Sequence, residues 1–159
     1  MDNIKEITKV IVRHGEPKDV SGIHYCISKL SEHVELSEYF TVSVQELGNS
    51  LFDPTQTHVD TFVAQDEEGN IIGYAITYKT LSTFTGKTNY HMEDLFVRSA
   101  YRNSGVGEQI MDFVKKFCQE NNASKLDWYV HQSNPKAKKF YERLGSKCID
   151  SEVKYELNF

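Results

Sequence analysis

The chain has 159 residues, of which 39% are hydrophobic and 26% are charged, so it can build a core and carries no signature of disorder. Its formal net charge of −5 lacks the basic footprint of a nucleic-acid-binding protein, and we expect a neutral or cationic partner instead. Because no internal repeat, low-complexity tract or linker interrupts it, the sequence predicts one domain spanning residues 1–159.

The N-terminal stretch MDNIKEITKVIV contains acidic residues and only a short apolar run, which predicts neither a signal peptide nor a membrane span. The three cysteines, Cys26, Cys118 and Cys148, are far apart and lack Cys-x-x-Cys spacing. This pattern is typical of a reducing compartment and indicates no zinc site. We therefore expect a cytoplasmic protein without a bound metal.

The first half of the chain predicts a strand, two helices and a hairpin. The strand covers Ile7 to Arg13, and Pro17 opens a helix with apolar residues at helical spacing: Val20, Ile23, Ile27, Leu30 and Val34. A less regular second helix covers Ser43 to Leu51. The runs DTFVAQD and IIGYAITYK flank the turn EEGN and predict an antiparallel hairpin.

The second half predicts a fourth strand over Asn89 to Ser99 and then a third helix, whose apolar face comprises Val106, Ile110, Phe113, Val114, Phe117 and Cys118. Asp112 and Lys116 form an expected exposed pair on that helix. A short strand over Leu126 to Val130 precedes a helix with Asn134 as N-cap, Pro135 first and Gly145 just past its end. Two last strands are expected near Lys147 to Ile149 and Val153 to Leu157.

The turn that joins the fourth strand to the third helix, YRNSGVGEQIM at residues 101–111, is rich in glycine and could hold a phosphate. A nucleotide-binding P-loop requires Gly-x-x-x-x-Gly-Lys-Ser/Thr. Here Arg102 takes the place of the first glycine, Glu108 that of the lysine and Gln109 that of the hydroxyl residue. A carboxylate in place of the phosphate-binding ammonium argues against ATP or GTP as the ligand.

Two segments resemble motifs of the GNAT superfamily of N-acetyltransferases. Arg102 to Gly107 matches its Gln/Arg-x-x-Gly-x-Gly/Ala coenzyme motif, and Asn134, Ala137, Tyr141 and Gly145 match its later Asn-x-x-Ala-x-x-x-Tyr-x-x-x-Gly helix. The resemblance implies an α/β GNAT fold with a mixed, mostly antiparallel sheet, splayed fourth and fifth strands and about four flanking helices. The nearest subgroup by resemblance is that of the spermidine/spermine (diamine) and thialysine acetyltransferases.

The resemblance implies acetyl-coenzyme A as the co-substrate, with no metal. A helix start offers unpaired N–H groups and a partial positive charge, so main chain alone can hold a pyrophosphate. By resemblance the pyrophosphate site comprises Arg102, Asn103, Ser104, Gly105, Val106, Gly107 and Glu108. The pantetheine arm would pair with the main chain of Leu95, Phe96 and Val97, and the remaining coenzyme contacts would be Asn134, Ala137 and Tyr141.

Acetyl transfer to an amine needs a base for the ammonium and an acid for the departing thiolate. By resemblance Tyr141 is the general acid, and an ordinary tyrosine pKa of about 10 keeps it protonated. Glu93, in HMEDLFV, resembles a glutamate of the subgroup and is the candidate base, acting through a water. By strand alternation Asp94 faces the other way unless a bulge intervenes, so one of the two carboxylates is expected to be structural. The expected substrate contacts are Glu93, Asp94, Phe84 and Glu152.

Other readings of these residues stay open. RNSGVG fits an ordinary strand-to-helix turn, Tyr141 a core tyrosine beside Phe140, and Glu93 an exposed strand carboxylate. His91 and His131 flank the expected cleft and are alternative bases, although the sequence favours solvated or satisfied histidines. Cys118 or Cys148 could act as a nucleophile only with a neighbouring base and a lowered pKa. Trp128 or Tyr129 could stack a ligand, but one of them must face the core.

The sequence therefore predicts an acetyl-coenzyme A-dependent N-acetyltransferase that transfers the acetyl group directly to a small primary amine, polyamine- or thialysine-like. Two alternatives remain: a GNAT enzyme acting on an aminoglycoside, an amino acid or a protein amine, and a non-catalytic acyl-coenzyme A-binding module. The resemblance also implies a homodimer, and we expect neither a nucleic-acid nor a membrane partner.

Overall fold

The computed structural model describes residues 9–159, which divide into one compact unit ending at Trp128 and another spanning Tyr129–Phe159. The strands of the first unit are β1 (Ile11–His14), β2 (Val59–Gln65), β3 (Ile71–Leu81), β4 (Thr88–Val97) and β5 (Leu126–Trp128). Its helices are α1 (Val20–His33), α2 (Val44–Phe52) and α3 (Val106–Glu120). The second unit contains α4 (Pro135–Arg143), and short 3₁₀ turns lie at Pro17–Asp19, Ser37–Tyr39 and Ser99–Tyr101.

The strands form a single mixed sheet in the order β1-β2-β3-β4-β5. The first four are antiparallel, while β5 pairs with β4 in parallel, as a crossover through α3 requires. The β4/β5 ladder is short, since only Tyr90 to Met92 find partners on β5. Beyond Met92 the two strands separate, which agrees with the predicted splay and the predicted fold class.

Each face of the sheet is covered by helices. On one face, α1 and α2 pack on a cluster made of Val20, Ile23, Cys26, Leu47, Leu51, Val63, Ile71, Tyr74, Ile76 and Phe96. On the other face, Phe117 of α3 contacts Phe62 and Tyr90, with ring centroids 5.1 Å and 5.4 Å away. Neighbouring residues of β2, Phe62 and Val63, therefore point to opposite layers, as strand geometry demands.

Local sequence signals explain where several of these elements begin. Ser43 caps α2, since its hydroxyl accepts from the Glu46 N–H at 3.2 Å while the Glu46 carboxylate accepts from the Ser43 N–H at 2.8 Å. Between β2 and β3, the Asp66 carboxylate accepts from the N–H groups of Glu68 (3.1 Å) and Asn70 (2.9 Å). These side-chain bonds close the hairpin turn that the sequence predicted.

Some expectations need correction. Within residues 9–159, no strand forms near Lys147 to Ile149 or Val153 to Leu157, and β5 ends at Trp128 rather than Val130. On α3, Asp112 pairs with Lys115 at 3.0 Å, one residue before the expected Lys116. Both lysines lie within reach of Asp112 on a helix surface, so spacing alone does not choose between them.

Ile7, at the start of the first predicted strand, lies outside the described residues. The single domain stays a prediction.

Candidate active site

The turn that precedes α3 exposes main chain at the start of a helix. Gly105, with φ 81°, and Asn103, with φ 60°, adopt the left-handed conformation. Asn103, Ser104 and Gly105 are exposed, while Val106 is buried and fixes the first turn of the helix to the core. The N–H of Gln109 donates to the Gly105 carbonyl at 3.0 Å. The N–H groups before Gln109 therefore have no acceptor within the helix. This geometry suits a bound anion.

Side chains around the turn hold its conformation. The Ser104 hydroxyl donates to the Tyr101 carbonyl at 2.5 Å, and the Tyr101 hydroxyl donates to the buried Asp66 carboxylate at 3.1 Å. Arg102 Nε donates to the Val97 carbonyl at 2.8 Å. The Arg102 guanidinium also lies 5.3 Å from the centre of the Phe96 ring, and burial lowers its pKa. Arg102 is thus turned towards β4, where its Nε holds a main-chain carbonyl.

The open edge of β4 follows directly from the short β5 ladder. The N–H of Arg98 donates to the Ile72 carbonyl at 2.9 Å, so the main-chain groups of Arg98 face β3. By alternation, the main-chain groups of Phe96 face β3, while those of Leu95 and Val97 face the open edge. Of the three residues predicted to pair with pantetheine, two therefore have suitable main chain. The Val97 carbonyl is held by Arg102, which leaves its N–H for that edge.

A β-bulge lies where β5 leaves β4. Met92 pairs with Thr77 and Asp94 pairs with Ile76, so Glu93 is an extra residue on β4. On β3, Thr77 and Ala75 point to the face of the sheet that packs on α3. Their partners on β4, Met92 and Leu95, therefore point to the same face. Two residues, Glu93 and Asp94, lie between them where a regular strand would have one. The bulge therefore turns both carboxylates to the face covered by α1 and α2, the exception that the sequence analysis allowed.

The two carboxylates have different surroundings. Glu93 is exposed, whereas Asp94 is partly buried and accepts a hydrogen bond from the Tyr74 hydroxyl at 3.1 Å. Burial raises the pKa of Asp94, and the charge of Glu93 raises it further, while the Tyr74 hydrogen bond lowers it. Burial and the adjacent Asp94 carboxylate raise the pKa of Tyr74 well above 10, so its hydroxyl remains a donor. Asp94 is therefore the carboxylate with a structural anchor, and Glu93 is the accessible one.

The alternative bases and nucleophiles have other partners. His91 Nδ1 lies 2.6 Å from the Asp127 carboxylate, which Lys125 also contacts at 2.8 Å. Burial alone would raise the pKa of Asp127, but the hydrogen bonds from Lys125 and His91 hold it below its usual value. Cys118 is buried, and burial raises its pKa to about 11, which disfavours the thiolate. His91 is thus a satisfied histidine and Cys118 a core residue.

The second unit presents the later motif on α4. The Asn134 side chain accepts from the Ala137 N–H at 3.1 Å, which confirms the predicted N-cap. Tyr141 is partly buried, and its ring packs edge-on against Phe140 with centroids 5.0 Å apart. His131 Nδ1 lies 2.7 Å from the Ser133 hydroxyl, just before the helix. Asn134, Ala137 and Tyr141 are therefore ordered by one short helix.

Two predicted substrate contacts lie on exposed segments. Phe84 is fully exposed at the tip of the β3–β4 hairpin, which closes at the pair formed by Leu81 and Thr88. Glu93 lies five residues beyond Thr88, or about 16 Å along the strand. Within one chain the hairpin therefore does not bring Phe84 to the carboxylate pair. Glu152 is exposed in the second unit. The substrate role of Phe84 and Glu152 stays a prediction.

Sequence reasoning missed the side chains that support the site. Tyr74 reads as an ordinary core residue of a strand, and nothing in IIGYAITYK indicates a carboxylate partner. Tyr101 and Asp66 lie in separate turns, so their pairing depends on tertiary structure. The available signal for the bulge was the run Met-Glu-Asp-Leu in β4, where two adjacent carboxylates interrupt apolar residues.

Among residues 9–159, no cluster of three or more histidine, cysteine, aspartate or glutamate side chains is arranged to hold a metal ion. In the same range, each helix is too short or too polar to cross a membrane.

Comparison with known proteins gives consistent matches. A family model described as Acetyltransferase (GNAT) family matches residues 30–146. Thialysine N-epsilon-acetyltransferase of Sus scrofa is 27% identical over 149 residues, covering 90% of this chain and 87% of that protein. L-ornithine N5-acetyltransferase of Arabidopsis thaliana is 27% identical over 181 residues, covering 87% and 79%. A solved aminoglycoside acetyltransferase from an uncultured soil metagenomic sample superposes with a TM-score of 0.80 at 17% identity, covering 94% and 96%, and shares the fold.

The left-handed turn at Gly105 can be tested by substitution. We expect Gly105→Ala to weaken acetyl-coenzyme A binding about tenfold, because a Cβ in this conformation costs about 1–2 kcal/mol and draws the turn out of its shape. Gly86→Ala is the matched control, since Gly86 also has a positive φ, 67°, and open space around it, but lies in the β3–β4 turn. Calorimetric titration would measure both affinities, and equal affinities would contradict the assignment.

Proposed function

The chain belongs to the acetyltransferase (GNAT) family, and we propose that it transfers the acetyl group of acetyl-coenzyme A directly to a small primary amine, polyamine- or thialysine-like. The observation that carries the proposal is the arrangement along β4. One strand presents a carboxylate pair at Glu93 and Asp94, then an open main-chain edge, and then leads into the glycine turn at Gly105. The named activities of the thialysine and ornithine relatives support a primary amine as acceptor.

The residues of the first unit fit a coenzyme site without a cationic side chain. The exposed N–H groups at the start of α3, with Asn103 to Glu108 around them, would hold the pyrophosphate. The open edge at Leu95 and Val97 would pair with the amides of the pantetheine arm as an added strand does. Arg102 supports the turn from behind through Val97. The contacts of Asn134, Ala137 and Tyr141 with the coenzyme remain proposals from family resemblance.

The reaction removes two protons from the ammonium nitrogen and supplies one proton to the thiolate. The amine arrives as an ammonium ion, which has no lone pair, and Glu93 accepts its proton through a water. The freed nitrogen attacks the thioester carbonyl, so a C–N bond forms while the C–S bond breaks, and the nitrogen loses its second proton to solvent. Tyr141 gives its proton to the departing thiolate, and the phenolate is reprotonated from solvent. Cys26 and Cys118 are poor acyl-carrying nucleophiles, because both are buried and burial raises their pKa values to about 11. Cys148 is exposed, and direct transfer rather than an acyl intermediate on this thiol is our proposal from family resemblance.

The electrostatics favour a cationic acceptor. Glu93 and Asp94 share one face of the sheet, so the ammonium group meets two carboxylates instead of one. The net charge of −5 helps to attract such a substrate. Glu152 is proposed as a further substrate contact on the strength of the subgroup resemblance. Phe84 is proposed on the same ground, as a contact for a part of the substrate that lies away from the carboxylate pair of its own chain.

We also propose a homodimer in the cytoplasm. Apolar side chains alternate with polar ones near the C-terminus, and Val153, Tyr155 and Leu157 are all exposed, at 75%, 91% and 82%. Such a pattern supports strand pairing with a second copy. The described cysteines are all free, which supports a reducing compartment.

The function is tested by measuring thiol release from acetyl-coenzyme A with spermidine, spermine, putrescine, thialysine, lysine, ornithine and an aminoglycoside. We expect turnover on a small aliphatic amine. Turnover on the aminoglycoside alone would replace the proposed substrate class. Thermal stabilisation by the coenzyme without turnover on any amine would favour a binding module over an enzyme acting on these acceptors.

Replacing Glu93 with glutamine should move the rising limb of the pH profile of kcat/KM to higher pH. Without the base, the amine must lose its proton in solution, near its own pKa of about 10. Glu120→Gln is a control, since Glu120 is an exposed carboxylate at the far end of α3. If the Glu93 variant and the wild type have the same profile, Glu93 is not the base.

Replacing Tyr141 with phenylalanine should lower kcat about a hundredfold and leave the Kd for acetyl-coenzyme A nearly unchanged. The substitution removes the proposed proton donor and keeps the ring that packs on Phe140. Tyr155→Phe, at an exposed tyrosine outside α4, serves as the control. Steady-state rates and calorimetric titration would separate the two effects, and an unchanged kcat would refute the role of Tyr141.

A further inference from the structure

We propose that Tyr74 is a positioning residue for catalysis: its hydroxyl holds the Asp94 carboxylate in place beside Glu93, where both carboxylates meet the ammonium group of the substrate. The inference rests on the proposed function and assigns a role to a residue that touches neither amine nor coenzyme. In this arrangement Glu93 and Asp94 work as one pair, with the buried tyrosine as its fixed support.

The geometry ties the two carboxylates to the core through one contact. Tyr74 is fully buried in the cluster beneath α1 and α2, where its ring lies 6.4 Å from the Phe96 ring. Packing of this kind fixes the side-chain rotamer, so the hydroxyl has a set position. It donates to Oδ2 of Asp94 at 3.1 Å across the β3/β4 ladder. The bulge at Glu93 places the second carboxylate immediately beside this pair.

The charged and titratable groups around Asp94 oppose or support its ionisation in distinct ways. Burial and the Glu93 charge raise the pKa of Asp94, and the Tyr74 hydroxyl counteracts them. From α1, Cys26 faces the same cluster, but burial raises its pKa to about 11 and keeps it neutral near pH 7. Arg98, just after β4, exerts its positive charge on Cys26. The contact that opposes protonation of Asp94 is therefore the Tyr74 hydroxyl.

Asp94 adds a second negative charge beside the proposed proton acceptor. Both carboxylates attract the ammonium group of the substrate, and Asp94, which is anchored by Tyr74, directs it towards Glu93. The proton passes from the ammonium nitrogen through a water to Glu93, and the nitrogen keeps the lone pair that attacks the thioester. If Asp94 takes up a proton, the ammonium group loses one of the two negative charges that attract it.

The test compares two buried tyrosines that lie on opposite faces of the same sheet. Tyr74→Phe removes the hydroxyl that contacts Asp94 and keeps the ring. Tyr90→Phe is the matched control, because Tyr90 is also fully buried and its hydroxyl has no hydrogen-bond partner among the described residues. Carbon-13 NMR titration of the Asp94 side-chain carboxyl would be measured in the wild type and both variants, together with pH profiles of kcat/KM.

The sign of the effect follows from the hydrogen bond. Tyr74 stabilises the ionised form, so its loss raises the pKa of Asp94 by about one unit, the equivalent of one charge-assisted hydrogen bond. The ionised form of Asp94 then appears at higher pH, and we expect the rising limb of kcat/KM to move up by about one pH unit. Tyr90→Phe should leave both quantities in place. Within an Asp94→Asn background, Tyr74→Phe should cause no further shift.

The outcomes separate this inference from the proposed function. The NMR titration needs no turnover, so an Asp94 pKa that is unchanged in Tyr74→Phe would overturn the inference even if no substrate were found. A raised Asp94 pKa with an unmoved kcat/KM profile would overturn it as well, leaving Tyr74 a structural residue. Failure of the wild type to acetylate any amine would instead defeat the proposed function. Thermal unfolding of both variants would show that each protein is folded.

Discussion

The extra residue in β4 is the backbone feature from which the geometry of the site develops. Before Glu93, the strand is held on both sides, by β3 and by β5; after it, β5 has left and one edge is open. The same insertion resets the alternation of side chains, so two adjacent carboxylates look the same way. A regular strand would have sent them to opposite faces. One irregularity thus brings together a proton acceptor, its neighbour and a main-chain edge for a ligand.

The glycine turn shows how charge is distributed in a site for an anion on an acidic protein. The guanidinium of Arg102 donates to the Val97 carbonyl and lies against the Phe96 ring, and the Tyr101 hydroxyl donates to the Asp66 carboxylate. What faces outward is therefore the start of α3, whose peptide dipoles attract negative charge without a formal cation. A bound phosphate and a cationic amine can then be attracted to the same protein, since different groups serve each of them.

The sequence predicted the elements whose signals are local. Ser43, Asn134 and the EEGN turn act through residues two to four positions away, and the structure confirms the helices and the hairpin that they begin or close. The features that it missed depend on partners distant in the chain. The bulge needs the register of β3, and the Tyr74–Asp94 contact spans twenty residues of sequence. The last two predicted strands failed for a related reason, because alternation at Val153 to Leu157 makes a strand only where a partner edge is present.

The connectivity of the sheet also bears on how the protein reaches its native state. β2, β3 and β4 form a meander joined by two short turns, whereas the residues of β1 pair with residues of β2 that lie 48 to 54 positions away in the chain. Local pairings cost the least loop-closure entropy, so the meander is expected to form early. β5 adds only three pairs and arrives after α3. β4, which carries the carboxylates and the open edge, thus belongs to the first part of the sheet to assemble. Of its two neighbours, β5 has the shorter ladder and is the less stable, and the site opens where β5 leaves β4.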